Sequence, residues 1–224
     1  AITPVLIEES ALAEVRGVFE RILAEADAKT YTVRNTLFPA GLHRLYPEMA
    51  RFLRHPALLG LAKQLVGDEV DQTWNQAIIK PGITGGHFSW HQDGRYAITE
   101  PLDAGFTLWI AITDTTIANG TLWVAPSYWG RGLMPHIRDN THYEWQCQFD
   151  GKPEPVCKMP VELKAGQMLI FSRLMPHASG PNTTDAPRMA YQVGFGRPGA
   201  VLGETQKPFG DQVPVFRRGQ LVPA

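Results

Sequence analysis

Cysteine is scarce in this chain, with two in 224 residues, Cys147 and Cys157. That excludes a disulfide framework and a zinc site built from cysteine alone, and the expectation is two reduced thiols, with a single surface disulfide as the alternative. Neither sign of charge is in surplus: 21 Lys and Arg stand against 22 Asp and Glu, for a formal net charge of −1. Without a basic excess there is no electrostatic footprint for a phosphate backbone, so nucleic acid is not an expected partner. The same balance offers nothing to an anionic membrane surface. No apolar run reaches the roughly 20 residues of a membrane span, and the first residues show no charged-then-apolar leader pattern. The expectation is a cytoplasmic protein acting on a small molecule, with its oligomeric state left open.

Turn formers, by contrast, are plentiful. The 18 prolines and 21 glycines suit short strands joined by many turns. At 24.9 kDa the chain is expected to form one domain over residues 1–224. Residues 1–69 read as a helical flank. Ser10 is a candidate N-cap, and Leu12, Val15, Phe19, Ile22, Leu23 and Ala26 recur at helical spacing behind it. Further helices are expected from Pro47 and from Pro56, the latter ending at Gly67. From Val70 the pattern changes to short β-like runs at Val70–Ile79, Thr107–Thr113, Thr121–Ala125, Val161–Lys164, Met168–Phe171 and Arg188–Phe195. The segment Asp114–Gly120 ends in Asn-Gly, a strong turn signal. Helices followed by many short strands predict a mainly β fold, a jelly roll or barrel flanked by helices. Residues 131–155 are polar and irregular, and read as a long loop insertion in the 70–224 core.

The chemistry concentrates where the chain runs Gly85-Gly86-His87-Phe88-Ser89-Trp90-His91-Gln92-Asp93-Gly94. His91 and Asp93 are two apart, and on a strand both side chains point to one face. An imidazole and a carboxylate converging that way can occupy adjacent positions on a divalent metal, and a distant third ligand would complete a two-His-one-carboxylate triad. The pair is not specific by itself, since His142-Tyr143-Glu144 repeats it in the polar insertion. Context separates the two. His177 follows the apolar run Met168-Leu169-Ile170-Phe171, and Arg188 opens a strand-like run eleven residues later. An arginine deep in a site needs an anion, and a planar guanidinium suits a carboxylate.

These residues resemble the phytanoyl-CoA dioxygenase family of Fe(II)/2-oxoglutarate-dependent oxygenases. The matching blocks are Trp90-His91-Gln92-Asp93; Leu108-Trp109-Ile110-Ala111-Ile112 with Asp114 and Asn119-Gly120-Thr121-Leu122; and His177-Ala178-Ser179-Gly180-Pro181-Asn182 with Arg188. The resemblance implies a double-stranded β-helix in which His91, Asp93 and His177 hold Fe(II). It implies that Arg188, with Ser179, binds the distal carboxylate of the cosubstrate 2-oxoglutarate, and that Gln76 and Trp109 line the same pocket. With O2, such an enzyme converts 2-oxoglutarate to succinate and CO2 while hydroxylating a C–H bond. In the family's halogenases a small residue replaces the carboxylate ligand; Asp93 is present here, so the resemblance points to hydroxylation or a related oxidation. One departure is Pro126-Ser127-Tyr128-Trp129, where the family usually shows Pro-Gly-Ser-His.

Other readings stay open on the sequence. The same cofactors also serve desaturation, epimerisation and oxidative cyclisation. A metal-dependent hydrolase or isomerase on a cupin-like barrel, or a metal-binding sensor, would leave Arg188 without an assigned partner. His43, His55 and His136 are expected to be ordinary satisfied histidines, while His87 is placed evenly between that and facing a substrate. Trp74, Trp90, Tyr96, Trp123 and Trp129 are expected in the core, with an aromatic substrate wall as the alternative. Lys80-Pro81-Gly82 reads as a strand end and turn, and Lys80, Arg95, Arg131 and Arg138 are the charges nearest the motif.

Overall fold

A computed structural model describes residues 1–26, 32–128, 130–138, 147–149 and 157–223. The His142–Glu144 pair and Trp129 fall outside these residues, as does the side chain of Cys147. The first helix, α1 (Glu9–Glu25), buries Leu12, Val15, Val18 and Phe19. Its N-cap is Glu8 rather than Ser10, and the cap makes no side-chain bond to the helix. The Glu8 carboxylate instead meets Nε2 of His55, 2.9 Å away. A hairpin of β1 (Thr32–Val33) and β2 (Thr36–Leu37) follows, so the expected helical flank also carries strands. Helices α2 (Pro47–Leu53) and α3 (Pro56–Val66) both begin at proline, whose missing N–H costs nothing at that position.

The remaining strands are β3 (Val70–Lys80), β4 (Phe88–His91), β5 (Thr99–Glu100), β6 (Gly105–Ala111), β7 (Leu122–Val124), β8 (His136–Arg138), β9 (Cys147–Phe149), β10 (Met159–Val161), β11 (Met168–Ser172), β12 (His177–Ser179), β13 (Arg188–Gly196), β14 (Val201–Leu202), β15 (Val213–Arg217) and β16 (Gln220–Leu221). Among the described residues, an eight-stranded antiparallel sheet runs β1-β2-β3-β13-β6-β11, with β15 added on β3 and β16 on β15. A four-stranded sheet runs β10-β7-β12-β4. The insertion is not wholly irregular, since β8 and β9 pair within it.

Side-chain alternation explains why the long strands read as almost continuously apolar. On β13, Met189, Tyr191, Val193 and Phe195 share a core with the helices, through Val15, Phe19, Phe52 and Leu58. The intervening Arg188, Ala190 and Gln192 face the other way. There Ile78, Trp109, Leu169 and Phe171 of the large sheet meet Leu122, Val124 and Val161 of the small one. One face of the large sheet therefore packs on helices and the other closes a barrel interior, the arrangement of a double-stranded β-helix. Phe19 and Tyr191 anchor the helix layer, 6.0 Å apart and edge to face. Truncating either ring would cost about 3–5 kcal/mol.

Candidate metal and cosubstrate site

Strand β4 ends at His91, and a short 3-10 turn, Asp93–Arg95, takes over. Asp93 is thus not on the strand. The turn, rather than strand alternation, swings its carboxylate back beside the imidazole. Strand β12 begins at His177 and lies antiparallel to β4, with His177 and His91 as register partners. The result is one cluster in which a ligand atom from each of His91, Asp93 and His177 lies within 4.8 Å of the others. Asp93 Oδ1 is 3.8 Å from Nε2 of His91 and 3.5 Å from Nε2 of His177.

The rings are pre-set for ligation. Nδ1 of His91 donates to the Ser89 carbonyl at 2.8 Å, and Nδ1 of His177 to the Met175 carbonyl at 3.0 Å. These bonds fix the tautomer that leaves both Nε2 lone pairs facing the cluster. Asp93 is braced on its other oxygen. Gln192 Nε2 donates to Oδ2 at 2.9 Å, and Gln76 Nε2 donates to Gln192 Oε1 at 3.3 Å. Burial resists the Asp93 charge, but the two imidazoles, His177 above all, hold its pKa down to about 2. Burial, reinforced by His177, brings His91 down to about 4, so its neutral, ligating form prevails. For His177 burial acts downward, yet the Asp93 carboxylate outweighs it and moves the pKa up.

A cavity of about 370 Å3 opens from this cluster, within the usual range for small-molecule sites. Gln76, Trp109, Ser179 and Arg188 all line it. Arg188 is 1% exposed and donates from Nη2 to the Gly120 carbonyl at 3.2 Å. Gly120 ends the Asn-Gly turn with φ +78°, and a Cβ there would lie 2.5 Å from the Gly180 carbonyl, so only glycine fits. Among the described residues, the buried side-chain polar atoms without a partner include Nε and Nη1 of Arg188 and Nε1 of Trp109. The Arg188 guanidinium sits 5.2 Å from the centre of the Trp109 ring. Three orphaned donors clustered on one cavity wall fit an incoming carboxylate, since leaving them unmet costs about 1–3 kcal/mol each.

The cavity is also lined by Val33, Phe38, Trp74, Tyr96 and Phe209. Trp74 lies against Gly194 of β13, where a Cβ would come within 2.4 Å of its indole nitrogen. Of the aromatic candidates, Trp74 and Tyr96 line the cavity, whereas Trp90 and Trp123 do not. His87 is exposed, outside the cavity lining, and meets Arg34. His43 meets Asn75, His55 accepts from the Ala57 amide, and His136 accepts from the Gln92 amide, each a structural contact.

Sequence reasoning missed four residues. Gln192 shares the inward face of β13 with Arg188, a period-2 signal that was there to use. Gln92, between two cluster residues, is fully buried: its amide donates to the Gly132 and Leu174 carbonyls and accepts from the Met134 N–H. Arg173 lines the cavity with its guanidinium 4.2 Å from the centre of the Phe209 ring, and donates to the Thr99 hydroxyl and the Ala97 carbonyl. Lys80 is the fourth, and no simple strand end: it is fully buried.

A double-stranded β-helix with a His-Asp-His cluster at its mouth has the architecture of the non-haem iron, 2-oxoglutarate-dependent oxygenases. Residues 2–190 match the family model described as phytanoyl-CoA dioxygenase (PhyH), and the chain belongs to that family. It is 29% identical over 164 residues to the ectoine dioxygenase of Bordetella parapertussis, covering 66% of this chain and 53% of that one. It is 31% identical over 157 residues to the phytanoyl-CoA dioxygenase of Arabidopsis thaliana, covering 68% and 53%. The chain thus spans about half the length of the curated relatives it matches. Among solved structures, the non-haem monooxygenase ThoJ superposes with TM-score 0.70 at 25% identity, over 92% of this chain and 80% of that one. The epimerase SnoN, in complex with Fe3+, alpha-ketoglutarate and a nogalamycin ligand, gives TM-score 0.74 at 18% identity over 98% and 91%, a likeness of fold. No helix among the described residues is long and apolar enough to cross a membrane.

Proposed function

We propose that this protein is an Fe(II)/2-oxoglutarate-dependent dioxygenase that hydroxylates an unactivated C–H bond of a small, largely apolar biosynthetic intermediate. The observation that carries the reading is the juxtaposition of the His91–Asp93–His177 cluster with an arginine whose buried donors lack an acceptor, on one cavity. Iron would be held by His91 Nε2, Asp93 Oδ1 and His177 Nε2, and the cosubstrate's distal carboxylate by Arg188 with Ser179 and Trp109. Bound together, these cofactors supply the oxidising chemistry, in which 2-oxoglutarate and O2 become succinate and CO2 and one oxygen atom passes to the substrate. The chain's own residues do the positioning. Ser89 and Met175 carbonyls hold the imidazoles, Gln192 and Gln76 hold Asp93, and Trp74, Tyr96 and Phe209 shape an apolar wall that excludes water. ThoJ, a non-haem monooxygenase by name, supports oxygen insertion over epimerisation.

The test is an anaerobic titration of the metal-free protein with Fe(II) and 2-oxoglutarate, followed by the weak visible band of the metal–keto-acid chelate. A band that His177→Ala abolishes is the expected result. A protein that binds Fe(II) but never forms the band would point instead to a hydrolase, isomerase or sensor. Product mass then decides the outcome: hydroxylation adds one oxygen, desaturation removes two hydrogens, and epimerisation changes neither.

A further inference from the structure

Arg173 is 4% exposed and lines the cavity, with its guanidinium stacked on Phe209. An arginine so deeply buried is ordinarily found with a carboxylate. Here its acceptors are neutral: Nη1 donates to the Thr99 hydroxyl oxygen at 3.2 Å, and Nη2 to the Ala97 carbonyl at 2.7 Å. Those two bonds leave N–H donors over and offset none of the charge. Among the described residues no carboxylate meets Arg173 in an ion pair. Burial pulls its pKa below the usual arginine value, and Asp93 and Asp103, acting upward from further off, do not outweigh it. Asp93 is committed to the metal cluster, while Asp103 is exposed and accepts from the Ser172 hydroxyl. The charge on Arg173 therefore lacks a counterion within the chain.

The cation is nonetheless held in one place. Its own carbonyl accepts from the Gly94 N–H at 2.9 Å, one residue past Asp93, so Arg173 is fastened to the turn that carries the carboxylate ligand. Around it the walls are apolar: Phe209 belongs to a small cluster against which Trp74 and Ala97 pack. Of the cavity-lining cations outside the metal cluster, Arg188 is taken up by the cosubstrate and Arg173 is the one left over.

We infer that Arg173 is the substrate's anchor: it binds a single carboxylate, with the apolar body of the molecule laid against Phe209 and Trp74 and a C–H presented to the metal cluster. The inference rests on the oxygenase reading above and narrows its substrate to a small monocarboxylic acid. A planar guanidinium matches a planar carboxylate, and a phosphate or a dianion would need a second cation that the lining does not offer here.

The experiment is calorimetry on Ni(II)-loaded protein saturated with 2-oxoglutarate. The probes are 3-phenylpropanoate, cinnamate, indole-3-acetate and cyclohexanecarboxylate, each measured against its own primary amide. If 2-oxoglutarate itself does not bind the Ni(II) protein, the oxygenase reading fails, whatever Arg173 does. Once it binds, the wild type is expected to prefer at least one acid over its amide by about tenfold or more, and no preference anywhere in the panel overturns the proposal. Arg173→Met is then expected to weaken the preferred acid about ten- to hundredfold while shifting its amide and 2-oxoglutarate less than about twofold. Equal losses for acid and amide would mark a structural arginine, and a loss for 2-oxoglutarate a second cosubstrate contact; either overturns it. If Arg173→Met does not fold, Arg173→Lys decides, since it keeps the charge and loses the fork. The acid should then weaken about three- to tenfold with the amide unchanged, and an unaltered acid affinity overturns the proposal.

Discussion

His177 stands directly across the β12–β4 ladder from His91, and their ring centroids are 4.3 Å apart. Two imidazoles meet because two strands separated by 85 residues of chain are neighbours in the small sheet, and a turn adds the carboxylate between them. The ligand set is therefore a property of sheet register, and it should respond as a unit.

Asp93→Ala leaves two neutral ligands and removes the charge that draws a cation in. Succinate formation from 2-oxoglutarate should fall to background, and metal content after dialysis should drop with it. Succinate produced at the wild-type rate, measured by mass spectrometry, would remove Asp93 from the metal site.

Arg188→Leu removes the guanidinium whose Nε and Nη1 lack partners among the described residues. The Kd for 2-oxoglutarate should rise about ten- to hundredfold, while Fe(II) binding in its absence changes little. An unchanged Kd would place the carboxylate anchor elsewhere.

Gln192→Leu keeps the side-chain volume near that of wild type but frees Asp93 Oδ2. Loss of such a supporting bond typically weakens metal binding about ten- to hundredfold. Competition with a colorimetric chelator measures this, and a variant of wild-type affinity would show that Gln192 does not brace the carboxylate.

Gly120→Ala forces a Cβ against the Gly180 carbonyl at a positive φ. It should destabilise the fold by about 1–3 kcal/mol, seen as a lower Tm, and weaken 2-oxoglutarate by displacing the carbonyl that Arg188 uses. A stable variant with normal affinity would mean that the turn tolerates a side chain.

The site was legible where chemistry forces particular residue types into ordered blocks. His91, Asp93, His177 and Arg188 come together, and Ser179, Gln76 and Trp109 line the same cavity. The long strands β3, β6, β11 and β13 were legible from their apolar runs, within two residues at each end. What stayed hidden depended on burial and on chain ends. A lysine after Ile79 looks like a solvated strand terminus, and nothing local shows that β12 and β13 close over it. The β1–β2 hairpin is too short to display a period, yet it brings Val33 to the cavity. Phe209 comes from the C-terminal stretch, where no repeat marks it as a wall. The Asp93 turn shows that the right convergence was inferred from the wrong local geometry.

Gln92 fastens the metal turn to the 130–138 segment twice: its side-chain amide meets the Gly132 carbonyl and the Met134 N–H, besides the Leu174 carbonyl further on, and its own N–H donates to the His136 ring. The side-chain amide's share of that fastening is blind to the identity of the side chains it holds; the His136 contact is not. Apart from His136, that segment can therefore drift in sequence while the ligand geometry underneath stays fixed. A swap of residues 130–138 between relatives would leave the metal geometry untouched, provided the donated segment returns a carbonyl and an N–H to the two ends of that one amide and keeps a histidine at 136.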